Sequence, residues 1–104
     1  MILARVEGYV VATKKNAKMT GSKFLFVRPL LVDPANPKNF KTGSNTIVTV
    51  DELGAGEGDV VLIAQGSSAR LGAKDKDTPL DAVVIGIVDT VDVHKQIVYR
   101  ANQP

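Results

Sequence analysis

The sequence predicts an all-β protein, a small and partly closed barrel of five strands with one short helical turn. Runs rich in β-branched residues are separated by clusters of Gly, Pro, Asn and Asp. No stretch has apolar residues at the three- and four-residue spacing of an amphipathic helix of ordinary length. A chain of 104 residues can bury one core but has no length for a second. We therefore expect a single domain over residues 1–104.

The first two strands are predicted in the N-terminal third of the chain. Apolar and polar residues alternate over Ile2–Thr13, and Gly8 allows a bulge or bend there. A lysine-rich polar connection leads to the second strand, Phe24–Val32. Phe24 and Phe26 are two residues apart, so in a strand they point to the same face, and we expect both of them in the core.

The remaining strands follow a loop that is rich in Pro, Asn and Gly. This loop, Asp33–Asn45, is predicted to be irregular or a wide hairpin. Thr46–Val50 and Val60–Ala64 are predicted as the third and fourth strands. Ala82–Asp92 is a nearly continuous apolar run, which predicts a fifth strand buried on both faces for part of its length. Val93–Tyr99 is predicted to be a terminal strand or an arm.

The most distinctive stretch lies between the third and fourth strands, at Asp51–Asp59. It contains three glycines at alternate positions, and glycine allows positive φ or the close approach of two backbones. Asp51, Glu57 and Asp59 can accept hydrogen bonds from the amides of such a turn. Beyond the fourth strand, Gly66–Gly72 has a serine at its start and a glycine at its end, which suits one helical turn. We expect a structural turn or a subunit interface formed by Asp51, Gly54, Gly56, Gly58, Ser67, Ser68 and Arg70.

A phosphate-binding loop is the other function that alternate glycines suggest, and the sequence argues against it. Such a loop opens a helix, whereas this one leads into the strand-forming run Val60–Ile63. The Gly-Lys-Ser/Thr of a P-loop is missing. Glu57 and Asp59 would also place negative charge beside the phosphates.

The sequence contains no recognisable catalytic constellation. There is no cysteine to act as a nucleophile, and His94 is the only histidine. Ser67 and Ser68 lack the Gly-x-Ser-x-Gly pattern of a nucleophile elbow. Asp89 and Asp92 are better placed to cap turns than to act as a catalytic pair. We therefore expect no enzymatic activity, no catalytic residues, no cofactor and no metal site.

Hydropathy and charge restrict the partners. No apolar run reaches the length of a membrane span or a signal peptide, so we expect a soluble cytoplasmic protein without a membrane partner. Residues 1–45 contain eight Lys or Arg and two acids, a net charge of +6, whereas residues 46–104 contain five and nine, a net charge of −4. Such asymmetry suits charge pairing within the domain or a head-to-tail contact between copies.

A small five-stranded barrel also suggests an alternative function, the binding of single-stranded nucleic acid by an oligonucleotide-binding (OB)-like module. That function requires exposed aromatic side chains in a basic groove. With Phe24 and Phe26 expected in the core, Tyr9, Phe40 and Tyr99 are scattered along the chain. The sequence therefore favours no nucleic-acid partner.

Five stretches of the sequence are distinctive when taken together, at residues 4–14, 19–25, 50–62, 66–70 and 81–89. They resemble the EutN/CcmL family of bacterial microcompartment vertex proteins. The glycine block followed by Gly-Ser-Ser-Ala-Arg is the most specific part of the resemblance, which covers nearly the whole chain. Met19 stands where the family usually has leucine, and the loop over Pro34–Asn45 is longer than usual.

The resemblance implies a fold, an assembly and a function. Members of the family are OB-like five-stranded barrels that assemble as homopentamers. Their pentamers close the vertices of polyhedral shells that surround enzymes in the cytoplasm. The resemblance thus implies hexameric shell proteins as partners, a geometric function and no catalysis.

Overall fold

Within the part of the chain that the structure describes, eight β-strands and one short 3₁₀ helix are the main elements. The computed structural model describes residues 1–13, 15–19, 21, 23–33, 35–36, 38–66, 69 and 81–101. The elements are β1 (Ile2–Val10), the 3₁₀ helix (Ala17–Met19), β2 (Lys23–Val32), β3 (Phe40–Thr42), β4 (Ile47–Asp51), β5 (Val60–Gln65), β6 (Ala82–Ile87), β7 (Thr90–Val93) and β8 (Gln96–Arg100).

Five of these strands close into a barrel. They follow the order β1-β5-β6-β4-β2, and β2 pairs back onto β1. Among the described strands, β4 and β6 form the one parallel contact, at Val50 and Val83. The predicted all-β, OB-like five-stranded barrel is therefore confirmed. The three other strands lie outside the ring, with β3 paired to the end of β2 and β7 paired to β8 as a separate hairpin.

The barrel encloses a core of small and branched side chains. Ala4, Val6, Leu25 and Val27 contribute from β1 and β2, and all four are at most 1% exposed. A second cluster lies on the opposite face of the sheet, because successive residues of a strand point to opposite sides. Its buried members are Val50, Ala64, Ala69 and Val83.

The prediction that Phe24 and Phe26 face the core is wrong, because the other side of β2 faces inward. Leu25 and Val27 point into the barrel, while the two phenylalanines are half-buried on its outer face, where Phe24 packs against the second cluster. Apolar residues occupy both the odd and the even positions of this strand, so the alternation alone could not show which set faces inward. A five-stranded barrel has a narrow interior, and the smaller Leu and Val side chains fill it.

Several predicted strand limits also differ from the structure. β1 ends at Val10, where its pairing with β2 ends at Phe24. The bulge expected near Gly8 is present, as a register shift between Val6 and Gly8. The loop before β4 is the wide hairpin, and β3 forms its return strand.

The apolar run predicted as one strand over residues 82–92 is divided. Residues 82–84 are buried, as expected, but β6 ends at Ile87. The amide of Val88 still donates to the carbonyl of Val60 at 2.8 Å, at the point where β5 begins. Beyond this point no barrel strand remains to pair with, and the chain leaves the barrel to form β7.

Candidate functional site

The glycine block begins at a buried carboxylate. Asp51 is the last residue of β4, and its side chain is fully buried. Its Oδ1 accepts a hydrogen bond from the amide of Leu53 at 2.9 Å, and its Oδ2 accepts one from the amide of Ala55 at 2.8 Å. The Nζ of Lys23 lies 3.8 Å from the same Oδ2. These donors compensate the loss of water around the charge, and they hold the chain in a fixed path after β4.

A four-residue turn follows. The amide of Asp59 donates to the carbonyl of Gly56 at 3.0 Å, and Gly58 has a φ of 90° at the third position. Positive φ at that position alone is the signature of a type II turn. Asp59 also caps the turn, because its Oδ2 accepts a hydrogen bond from the amide of Gly56 at 2.8 Å. Of the three acids predicted to cap the turn, Asp51 and Asp59 are seen to do so, whereas Glu57 takes part through its backbone amide.

The turn is joined to the barrel wall through β1. The amide of Gly58 donates to the carbonyl of Val6 at 2.8 Å, and the amide of Val6 donates to the carbonyl of Asp59 at 2.9 Å. The amide of Glu57 donates to the hydroxyl of Tyr9 at 3.3 Å. The loop over residues 52–59 is thus a rigid closure of one end of the barrel.

Two of the three glycines in the block have positive φ. Gly54 and Gly58 have φ values of 86° and 90°, where a side chain is strained. Gly56 does not have positive φ, so positive φ is not the reason for a glycine at this position. A Cβ added at Gly56 would meet an Asp59 oxygen at 3.7 Å, an ordinary contact. The glycine requirement within the subunit is therefore conformational, and it applies to Gly54 and Gly58.

A groove opens beside this closure, along the connection between β1 and β2. It has a volume of about 410 Å³, and its lining includes Tyr9, Val11, Lys15, Lys23 and Phe24. The Nζ of Lys23 lies 5.1 Å from the centre of the Tyr9 ring, and the Nζ of Lys15 lies 5.5 Å from that of Phe24. Each aromatic ring therefore already has a cation from its own chain over its face.

Lys23 and Tyr9 are part of the site, but sequence reasoning did not identify them. Lys23 faces Asp51 through the pairing of β2 with β4, and it also donates to the carbonyl of Ala55 at 3.3 Å. The two residues of this ion pair are 28 positions apart, and only the register brings them together. The one signal in the sequence for this ion pair is that a lysine and an aspartate flank the ends of two predicted strands.

The structure leaves the second half of the predicted site undecided. Ser67, Ser68 and Arg70 lie outside the described residues, so their predicted role stays a prediction. Ala69 between them is helical and fully buried, and it packs in the second cluster. A helical residue at this point agrees with the predicted turn.

The described residues contain no group of three or more His, Cys, Asp or Glu side chains that could hold a metal ion. Within the described ranges no helix is long and apolar enough to cross a membrane. His94 lies at the tip of the β7–β8 hairpin, where its φ is 51°.

The fold and the site together define a class of protein, a small OB-like β-barrel whose most elaborate feature is a turn built from backbone hydrogen bonds. The chain matches the family model described as ethanolamine utilisation protein EutN/carboxysome over residues 1–89. The chain belongs to this EutN/CcmL family.

Named relatives agree with the family match. The chain is 43% identical to the bacterial microcompartment shell vertex protein PduN of Salmonella typhimurium, covering 88% of this chain and 98% of the relative. It is 40% identical to the carboxysome shell vertex protein CcmL of Synechocystis, covering 96% of this chain and 94% of the relative. The sequence identity of this chain to the carboxysome relative is thus nearly the same as its identity to the relative from another microcompartment.

Solved structures share most or all of this architecture. CcmL of Gloeobacter violaceus superposes with a TM-score of 0.84 at 39% identity, covering 99% of this chain and all of that one. GrpN of Rhodospirillum rubrum, a pentameric microcompartment shell protein, superposes with a TM-score of 0.76 at 40% identity. That match covers 99% of GrpN and 89% of this chain.

Proposed function

We propose that this chain is a shell vertex protein, which assembles as a ring of five copies and closes the vertices of a bacterial microcompartment. The observation that carries the proposal is its likeness to pentameric GrpN, 40% identical over nearly all of that protein. The vertex proteins PduN and CcmL, at 43% and 40% identity, support the same function. A five-fold unit placed among six-fold tiles introduces the curvature that a closed shell needs. The partners of the ring are then hexameric shell proteins of the same compartment.

The role of the site in this function is mechanical. A closed ring repeats one heterologous contact, so each subunit must present two unlike surfaces at a fixed angle. The closure over residues 52–59 is fixed by Asp51, Asp59 and the backbone of Val6, which suits a surface that has to keep its shape. In this proposal Asp51, Gly54, Gly56 and Gly58 form the rigid turn, and Ser67, Ser68 and Arg70 contribute to the subunit interface. No catalysis is required of them.

The test of this proposal is the mass of the assembled chain. Native mass spectrometry of the purified protein is expected to show a species near 55 kDa, about five times the 11.1 kDa of one chain. Coexpression with a hexameric shell protein is expected to give closed shells, and omission of this chain is expected to leave them open at the vertices. A protein that stays monomeric at micromolar concentration would contradict the proposal.

The proposal includes no nucleic-acid partner. The groove does combine aromatic and basic residues, but its two rings are covered by Lys15 and Lys23 of the same chain. Stacking of a base would require that these contacts be broken. A short labelled oligonucleotide is therefore expected to show no tight, salt-resistant binding in an anisotropy titration. Binding that persisted at high salt would favour the OB-like alternative.

A further inference from the structure

The charge asymmetry of the chain is concentrated in two blocks of sequence. Residues 8–32 contain five Lys or Arg and no acid, whereas residues 77–94 contain four Asp and neither Lys nor Arg. The first block includes the connection from β1 to β2 and the whole of β2, and the second includes β6. The two blocks therefore belong to different strands of the barrel.

These strands lie on different sides of the barrel but reach the same end of it. β6 pairs with β5 and β4, and it pairs with neither β1 nor β2, so it lies across the closed ring of five strands from the β1–β2 pair. Lys23 lies beside Asp51, where the closure over residues 52–59 begins. The amide of Val88 donates to the carbonyl of Val60, where the closure has led into β5. A basic and an acidic surface thus lie at one level, on opposite sides of the molecule.

The basic surface is the groove beside the closure. Among the described residues its lining contains two lysines and no acid, and Tyr9 and Val11 are 53% and 87% exposed. Lys23 faces Asp51, but Lys15 has no carboxylate within ion-pair distance in the part of the chain that the structure describes. The ammonium of Lys15 is held by a backbone carbonyl at 3.1 Å. The groove thus combines exposed apolar side chains with an unmatched cation.

The acidic surface consists of Ile85, Ile87 and Asp89 and is called the acidic strip. Each of the two isoleucines is 39% exposed, and Asp89 is exposed as well. Arg100 lies opposite Thr90 in the β7–β8 hairpin, but neither it nor any other described cation forms an ion pair with Asp89. The strip has the same apolar character as the groove and the opposite charge.

Charge complementarity identifies what fits the groove. A groove placed against a second groove would bring lysines together, and a strip against a second strip would bring aspartates together, so neither surface suits a contact with its own kind. A ring of heterologous contacts joins one surface of each copy to an unlike surface of the next. The apolar parts of two such surfaces can form the centre of the contact, while charges at its rim select the partner and fix the register.

We propose that the groove of one copy receives the acidic strip of the next copy in the ring, with Asp89 paired to Lys15. This inference rests on the proposed function, since it needs an adjacent copy, and it assigns the two unlike surfaces of the repeated contact. In the ring, Tyr9 and Val11 pack against Ile85 and Ile87. The ion pair determines which two surfaces meet.

Reversal of the two charges tests the pairing in the full-length protein. Lys15→Glu and Asp89→Lys each bring like charges together, so in native mass spectrometry each ring is expected to dissociate at about tenfold higher concentration than the parent ring. The double variant, Lys15→Glu with Asp89→Lys, restores the pair with its signs exchanged and should dissociate within about threefold of the parent. Both positions are exposed, so the melting of the monomer should not change.

The control is Lys38→Glu, which reverses an exposed lysine outside both surfaces and should leave the ring as stable as the parent. Single variants as stable as the parent ring, or a double variant no more stable than the single variants, would overturn the inference.

Cross-linking locates the contact directly. The chain contains no cysteine, so Lys15→Cys and Asp89→Cys are separate variants with one thiol each. Rings assembled from a mixture of the two are expected to yield a covalent dimer with a short bis-maleimide, whereas rings of either variant alone should yield none. Mixed rings that give no cross-linked dimer would overturn the inference. A parent chain that forms no ring would instead contradict the proposed function itself.

Discussion

The carboxylate of Asp51 accepts a hydrogen bond from the amide of Ala55 at 2.8 Å, and both residues are buried. This contact fixes the first half of the closure over residues 52–59, because the same carboxylate also holds the amide of Leu53. It turns the chain away from β4 and buries Ala55 in the barrel core. A polar side chain thus determines how the barrel is sealed at this end.

Replacement of Asp51 is expected to be costly. Asp51→Ala removes the acceptor for two amides, of which that of Ala55 is buried, and should lower the free energy of unfolding by about 2–3 kcal/mol. Lys23→Ala is the matched control, because its ammonium lies 3.8 Å from Asp51 and its side chain is 46% exposed, so about 0–1 kcal/mol is expected. Urea unfolding of both variants measures the difference. Equal losses would show that the ion pair, and not the capping of the amides, stabilises the turn.

Substitution of Gly58 should lower the stability of the fold more than substitution of Gly56. Gly58→Ala forces a side chain into φ 90° and is expected to cost about 1–2 kcal/mol. Gly56→Ala should change the free energy of unfolding by less than about 0.5 kcal/mol, since its φ is not positive and its Cβ would make an ordinary contact. Thermal melting of the two variants should then differ by about 4–8 °C per kcal/mol. A Gly56→Ala variant that melts lower than Gly58→Ala would refute the assignment.

Substitutions at the tip of the β7–β8 hairpin should make the hairpin more stable. His94 and Lys95 have φ values of 51° and 62° between the paired residues Val93 and Gln96, which defines a type I′ turn. Asn-Gly is the preferred pair in such turns, so His94→Asn with Lys95→Gly is expected to stabilise the hairpin by about 1 kcal/mol. Amide hydrogen exchange in β7 and β8 should slow about fivefold for that gain, while exchange in β5 stays unchanged. Unchanged exchange in the hairpin would mean that the turn is not strained.

The pKa of Asp33 is lowered from its usual 3.8, chiefly because its carboxylate accepts a hydrogen bond from the amide of Ala35, with a further contribution from Lys41. A lowered pKa in the folded state stabilises the fold above pH 3.8, and this contribution is lost as the pH falls through the lower folded value. An NMR titration of the Asp33 carboxyl carbon should therefore have its midpoint below 3.8. In Lys41→Ala the midpoint should remain lowered, because the amide of Ala35 is the larger cause. A return to 3.8 in that variant would assign the effect to the ion pair.

Much of the fold was predictable because its signals are local. The strand runs Val60–Gln65 and Ala82–Ile87 are dense in β-branched residues; the first lies close to its predicted position, and the second begins at its predicted residue but ends five residues early. The tight turn between Asp51 and Asp59 was predictable for the same reason, since alternate glycines and short acids specify a turn within nine residues. The family resemblance rested on these same stretches, and the match over residues 1–89 confirms it.

The sequence by itself therefore determined the all-β class, the five barrel strands and the capping of the turn by Asp51 and Asp59, because each depends on neighbouring residues. The tertiary structure decided which parity of β2 faces inward, which glycines have positive φ, and that Lys23 and Tyr9 join the site. It also separated the hairpin from the barrel at Asp89. These features depend on strand register and on where a partner strand ends, and such long-range pairings leave no local pattern in the chain.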